Sequence, residues 1–249
     1  MAKTSGLGDA LYIAGNDLSG DITAVSNVGG GPAVLTTTGI NKSAIERIGG
    51  LRDGRLELTA WWNPDLGGEH AVLSQLPTSD VIMTYCRGTS LGAPAACMNA
   101  KQPDYAGTRA DDGSFTFSVQ TQANGYGLEW GNLLTAGVRT DTAATNGTAI
   151  DTGAALSFGA QAYLHVMAFT GTDATVKLQD SADNVTFADI AGMAFTQITT
   201  TTPGAQRIAT ANTATIREYV RAVTVTTGGF TSLAFAVAVN KNPIAGVAF

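Results

Sequence analysis

Charge is scarce. Charged residues make up 14% of this 249-residue chain, against about a quarter in an ordinary soluble protein. Thr, Ala, Gly and Ser fill the difference. A polar, weakly charged surface can pack against copies of itself at low desolvation cost, because burying charge is what makes association expensive. The composition therefore leans towards an assembling protein. The net charge is −6, and no Lys/Arg cluster or basic stripe is present, which argues against binding nucleic-acid phosphates. A mild negative field suits a surface past which DNA slides without sticking.

Cysteine and histidine are almost absent, with two of each. Cys86 and Cys97 cannot form a disulfide framework in a chain this long, and neither has a Cys-x-x-Cys partner or a histidine pair for zinc. No apolar run approaches membrane-spanning length. The opening MAKTSGLGDA lacks the apolar core of a secretory signal. Synthesis in a reducing bacterial cytoplasm, with free thiols, is the expectation.

Strand periodicity is plentiful. Over residues 55–62, Leu56, Leu58, Ala60 and Trp62 alternate with Arg55, Glu57 and Thr59. Phe115, Phe117 and Val119 alternate with Thr116, Ser118 and Gln120. Residues 80–87 form a third strand, and 21–28 and 33–38 are weaker ones. Gly29-Gly30-Gly31-Pro32 reads as a flexible hairpin turn, and Asp53-Gly54 and Asp112-Gly113 as turns before strands. Helical signals are short. Ser43 and Glu46 have capping-box spacing in the segment 41–47, and residues 70–76 could form one more helix, stopped by Pro77.

Residues 138–153 carry no apolar periodicity, so 141–153 reads as a linker between a domain at 1–140 and another at 154–249. The second half is again all β. Leu164/Val166/Ala168 and Ala174/Val176/Leu178 alternate, and Leu233/Phe235/Val237/Val239 alternates with small residues, as in a strand covered on both faces. Turn signals come at sandwich spacing. The fold class is all-β and mainly antiparallel, with one or two short helices.

Catalytic constellations are missing. His70 lies four residues before Ser74 without a Gly-x-Ser-x-Gly elbow. His165 interrupts an apolar strand and reads as structural. The glycine run is not followed by Gly-Lys-Ser/Thr, so it is no phosphate loop. Asp180, Asp183 and Asn184 lack a closing Glu for calcium and read as an Asx-rich turn. No enzyme, metal or cofactor is expected. Trp61 and Trp62 must point to opposite faces of a regular strand, which leaves one for a covering segment or a partner surface.

The phrases Asp17-Leu-Ser-Gly-Asp-Ile22, Thr38-Gly-Ile-Asn-Lys-Ser-Ala-Ile-Glu-Arg47, Gly50-Leu-Arg-Asp-Gly-Arg55, Leu56-Glu-Leu-Thr-Ala-Trp-Trp-Asn63, His70-Ala-Val-Leu-Ser-Gln-Leu-Pro77 and Gln122-Ala-Asn-Gly-Tyr-Gly-Leu-Glu-Trp-Gly131 together resemble siphophage major tail (tail-tube) proteins over most of residues 9–142. The C-terminal half, including Val176–Phe187, resembles β-sandwich modules of phage structural proteins in general. The resemblance implies a β-sandwich or barrel tube domain with a flanking helix, followed by a β-sandwich domain on the tube exterior. It implies hexameric rings that stack around a DNA-conducting lumen. The implied partners are further copies of the chain and the tape-measure, tail-terminator and distal-tail proteins of the virion tail. DNA would pass through without sequence-specific binding, and no membrane is involved. Strand faces of Thr, Gln and Ser could line an aqueous lumen, and ring closure would remove free strand edges. The loop expected at 39–54 is polar and carries Lys42, Arg47, Arg52 and Asp53. With Trp61, these are the candidate inter-subunit contacts.

Two other readings stay open. One is a head decoration or head–tail connector protein. The other is a carbohydrate-binding module on a carrier domain, although the aromatics after residue 153 include no Trp on which a sugar ring would stack.

Overall fold

A computed structural model describes residues 5–76 and 79–245. Four antiparallel strands open the chain: β1 (Ala10–Ile13), β2 (Asn16–Asp17), β3 (Ile22–Thr36) and β4 (Arg47–Trp61). A five-residue helix, α1 (Glu69–Leu73), leads into β5 (Val81–Cys86), β6 (Pro94–Arg109), β7 (Phe115–Ala123), β8 (Glu129–Leu133) and β9 (Arg139–Asp141). The remainder is β10 (Ile150–Asp151), β11 (Ala160–Gly171), β12 (Thr175–Ser181), β13 (Ala188–Ala194), β14 (Gly204–Ala209), β15 (Tyr219–Val225) and β16 (Phe230–Lys241). The protein is all-β and antiparallel, and its sheets do not close into a barrel among the described residues.

The larger sheet runs β14-β11-β16-β8-β6-β5-β1-β2, and β7, β4 and β3 branch from β6. Strand β6 makes the branch because it is long. Its first half pairs with β5 and β8, and from Ala100 onward it pairs with β7 across an irregularity at Lys101–Asp104. Strand β8 lies between β6 and β16 and joins the two halves of the chain into one sheet. A smaller sheet, β10-β15-β12-β13, packs across the second half.

Burial follows the alternation of side chains. Leu56, Leu58 and Ala60 of β4 and Val119 of β7 enter the core of the first half. Leu233, Phe235, Val237 and Val239 of β16 enter the core of the second half, together with Val176 and Leu178 of β12 and Val220 of β15. The opposite face of β16 is also covered. Ala236 and Ala238 pack with Tyr12, Cys86, Cys97, Leu133 and Tyr163 in a third core at the joint. In β11 the expected alternation breaks at a bulge between Val166 and Ala168, so Phe169 turns inward and Ala168 outward.

Several local readings are corrected. Residues 41–47 form no helix: Lys42 and Glu46 pair across a turn at 3.0 Å, and Thr38 Oγ1 accepts the Glu46 N–H. The capping-box spacing serves a hairpin end instead. Gly29–Gly31 and Asp53-Gly54 are not turns but sit within β3 and β4, opposite one another. The helix at 70–76 is a residue earlier and shorter, and its expected stop at Pro77 lies outside the described residues. Residues 141–153, read as a linker, are tied to the second half. Asp141 opposes Leu233, Ile150 opposes Val220, and the Thr145 N–H donates to the Thr224 carbonyl at 3.1 Å. Polar side chains make these attachments (Thr224 Oγ1 donates to Asp141 at 2.7 Å), which is why no apolar period marks them.

Candidate assembly surface

Strands β3 and β4 form a hairpin from Ile22 opposite Ala60 to Thr36 opposite Arg47, with irregularities at Ile22–Ala24, Val25–Asn27 and Pro32–Val34. Strand β7 supports β4 only from Trp61 to Arg55. Beyond Arg55 the hairpin continues as a two-stranded ribbon, about 26 Å long at a rise of roughly 3.3 Å per residue. Its root is anchored by Leu128, which lies over Gly54 and Gly30 and is buried in the core of the first half. Side chains larger than hydrogen at Gly54 would exclude Leu128.

The ribbon is apolar where it should be polar. Val34, Leu35, Ile48 and Leu51 are exposed, Leu51 to 88%, as are Ile40 and Ile45 at the turn. Val34 and Leu35 are consecutive in a strand and so face opposite ways. Both faces of the ribbon therefore carry apolar side chains. A lone two-stranded hairpin is marginal in water, and contiguous exposed apolar surface marks interaction sites. The outer edge of β3 pairs with no strand among the described residues, and it presents unpaired N–H and C=O groups that a further strand could meet. Pro32 lies on this edge, where a missing donor is tolerated.

Four of the five sequence-predicted contact residues fall on this ribbon. Lys42 is in its turn, Arg47 opposes Thr36, Arg52 opposes Pro32 and Asp53 opposes Gly31. Arg47, Arg52 and Asp53 are strand residues rather than members of a loop. Trp61 ends β4 opposite Thr116, up to about 45 Å away along the strand. The structure separates it from the other four. Trp61 and Trp62 are both about half exposed, and Trp62 packs edge-on to His70 and against Phe115. Neither is the core residue expected of one of the pair, because β4 ends at Trp61. The apolar ribbon residues were not among the expected contacts. Their sequence shows no alternation, since Val34 and Leu35 are adjacent and Ile48 and Leu51 lie three apart.

Chemistry-bearing groups elsewhere are engaged in structure. Comparison of the sequence with protein-family models and with curated proteins gives no match. Solved structures do resemble it. The Dit protein of phage SPP1, a paradigm of the hub adsorption apparatus of phages infecting Gram-positive bacteria, aligns over 94% of this chain and 99% of its own, with TM-score 0.34 and 11% identity. A chain of the phage p2 baseplate in its activated conformation with Sr aligns over 95% and 99%, with TM-score 0.33 and 11% identity. The corresponding baseplate with Ca gives the same coverage and TM-score at 13% identity.

The two histidines and two cysteines have structural settings. His165 is buried at the joint. Its Nδ1 accepts the Gly15 N–H at 3.3 Å, so Nε2 carries the proton and donates to Thr84 Oγ1 at 2.9 Å. Burial lowers the His165 pKa to about 3. His70 Nδ1 meets the Tyr105 hydroxyl at 2.9 Å. Burial pushes the Cys86 thiol up to about 12 and raises that of Cys97 as well, which leaves both protonated and unreactive. Beside them Glu129, buried, accepts from the Tyr163 hydroxyl and from Arg207 Nη2 at 3.1 Å, and the Arg207 guanidinium stacks 3.6 Å over Tyr126. Asp183 accepts the N–H groups of Val185 and Thr186, and Asp180 pairs with Arg217, so the Asp180–Asn184 segment is an Asx-type turn. No group of three His, Cys, Asp or Glu able to hold a metal occurs among the described residues.

Proposed function

We propose that this chain is a structural protein of a bacteriophage tail, and specifically a tube subunit. Copies associate into hexameric rings that stack around a lumen through which DNA passes. The second half, with its smaller sheet, lies on the tube exterior. The observation that carries this reading is the unsupported β3–β4 ribbon, which exposes apolar side chains on both faces and a free strand edge. Such a ribbon is costly for a monomer and useful for a subunit. Low surface charge supports the same reading, since subunit faces then associate with little desolvation cost. The resemblance of residues 9–142 to tail-tube proteins supplies the tube, the ring and the lumen. The role is structural rather than catalytic.

Electron microscopy of phage particles labelled with an antibody against residues 154–249 tests the proposal. Regular label along the tail shaft is the expected result. Label confined to the head would replace the tube reading with a decoration or connector protein.

A further inference from the structure

The two ends of the β3–β4–β7 sheet differ in charge, and both are apolar. Residues 30–54, which make the ribbon, carry Lys42, Arg47 and Arg52 against Glu46 and Asp53, with Lys42 paired to Glu46 at 3.0 Å, in a chain whose net charge is −6. At the other end of the same strand, β4 stops at Trp61, and the Trp62 N–H donates to the Phe115 carbonyl at 3.1 Å. That contact brings the loop after β4 beside the β6–β7 turn. The turn exposes Asp111 and Asp112, and the loop adds Asp65, against Arg109. Trp61, Trp62 and Leu66 are exposed there too. One end is thus apolar and basic, and the other is apolar and acidic.

We propose that the ribbon of one copy docks on the Trp61–Asp112 end of a second copy, giving a head-to-tail contact along the strand direction. The inference rests on the self-assembly reading and names the surfaces that would carry it. Charge complementarity selects this arrangement. A two-fold contact of ribbon on ribbon would bring two net-positive surfaces together, and like charges brought together are disfavoured. Two different surfaces make a heterologous contact, which propagates when it does not close on itself. A contact near the strand axis stacks copies one above another. The exposed tryptophans supply the flat apolar area that the ribbon's Leu35, Ile48 and Leu51 need, since large aromatics concentrate at interface centres.

Charge reversal in the full chain tests this. Arg47→Glu with Arg52→Glu, and separately Asp111→Lys with Asp112→Lys, are compared with wild type by sedimentation velocity and negative-stain microscopy, with melting curves to verify folding. Each reversed pair should weaken association at least about tenfold, and the chain carrying all four substitutions should recover most of it. Wild-type association in either reversed pair, or no recovery in the combined chain while it melts normally, overturns the head-to-tail contact and leaves self-assembly standing. A wild-type chain that stays monomeric at high concentration overturns both.

Discussion

Gly54 lies directly under Leu128: a Cβ on Gly54 would stand 2.6 Å from the Leu128 amide nitrogen and 2.8 Å from its Cβ. This contact fixes the root of the ribbon to the core. Gly54→Ala should displace Leu128 and cost about 1–3 kcal/mol. Gly49→Ala is the control, because a Cβ there meets only the Pro32 ring at 3.6 Å or more, an ordinary van der Waals contact. It should leave stability equal or slightly higher. Urea unfolding of the two variants checks the contrast.

The Arg207–Glu129 pair at the joint gives a second expectation. The Glu129 side chain is 1% exposed and that of Arg207 9%. Arg207→Met strands the carboxylate in the interior and should cost about 3–5 kcal/mol. Adding Glu129→Gln removes the charge while keeping an acceptor for the Tyr163 hydroxyl. The double variant should therefore be more stable than Arg207→Met alone. An additive double-mutant cycle would show that the two groups do not interact.

His165 sets a pH dependence. Its folded pKa, about 3, lies below the ordinary value of 6.5, so the unfolded chain binds the proton more readily. Stability from this group is fully present above about pH 6.5 and is lost as pH falls towards 3, with a slope of up to about 1.4 kcal/mol per pH unit. His165→Gln should flatten that part of the profile. Denaturant midpoints at pH 7 and pH 4.5 for both chains measure it, and an unchanged difference would contradict the assignment.

The core strands were legible because each buries one face. The alternations at Leu56–Ala60, Phe117–Val119 and Leu233–Val239 all reappear as buried rows. The ribbon is only partly legible, through the weaker strand at 33–38, because nothing covers it. Its apolar residues follow no period of two among glycines and charges, and a capping-box pair sits at its turn. Local rules read such a segment as loop and helix. Gly30 and Gly54 read as turn residues by local rules, whereas each makes room for Leu128, a close approach between residues distant in sequence. The segment 141–153 reads as a linker for a related reason. It is held by polar side chains and backbone bonds to β15 and β16, which leave no hydrophobic period. Lys42, Arg47, Arg52 and Asp53 share the ribbon although only Lys42 lies in a turn, and Trp61 ends the same strand at its far end.

Replacing residues 31–53 by Asn-Gly would close the hairpin at the Gly30–Gly54 pair with a favoured two-residue turn. Sedimentation velocity of this chain against wild type, at matched high concentration, tests most directly whether the ribbon drives assembly. The shortened chain should melt like wild type yet remain monomeric while wild type forms rings or tubes. Equal assembly by the two chains would contradict the account.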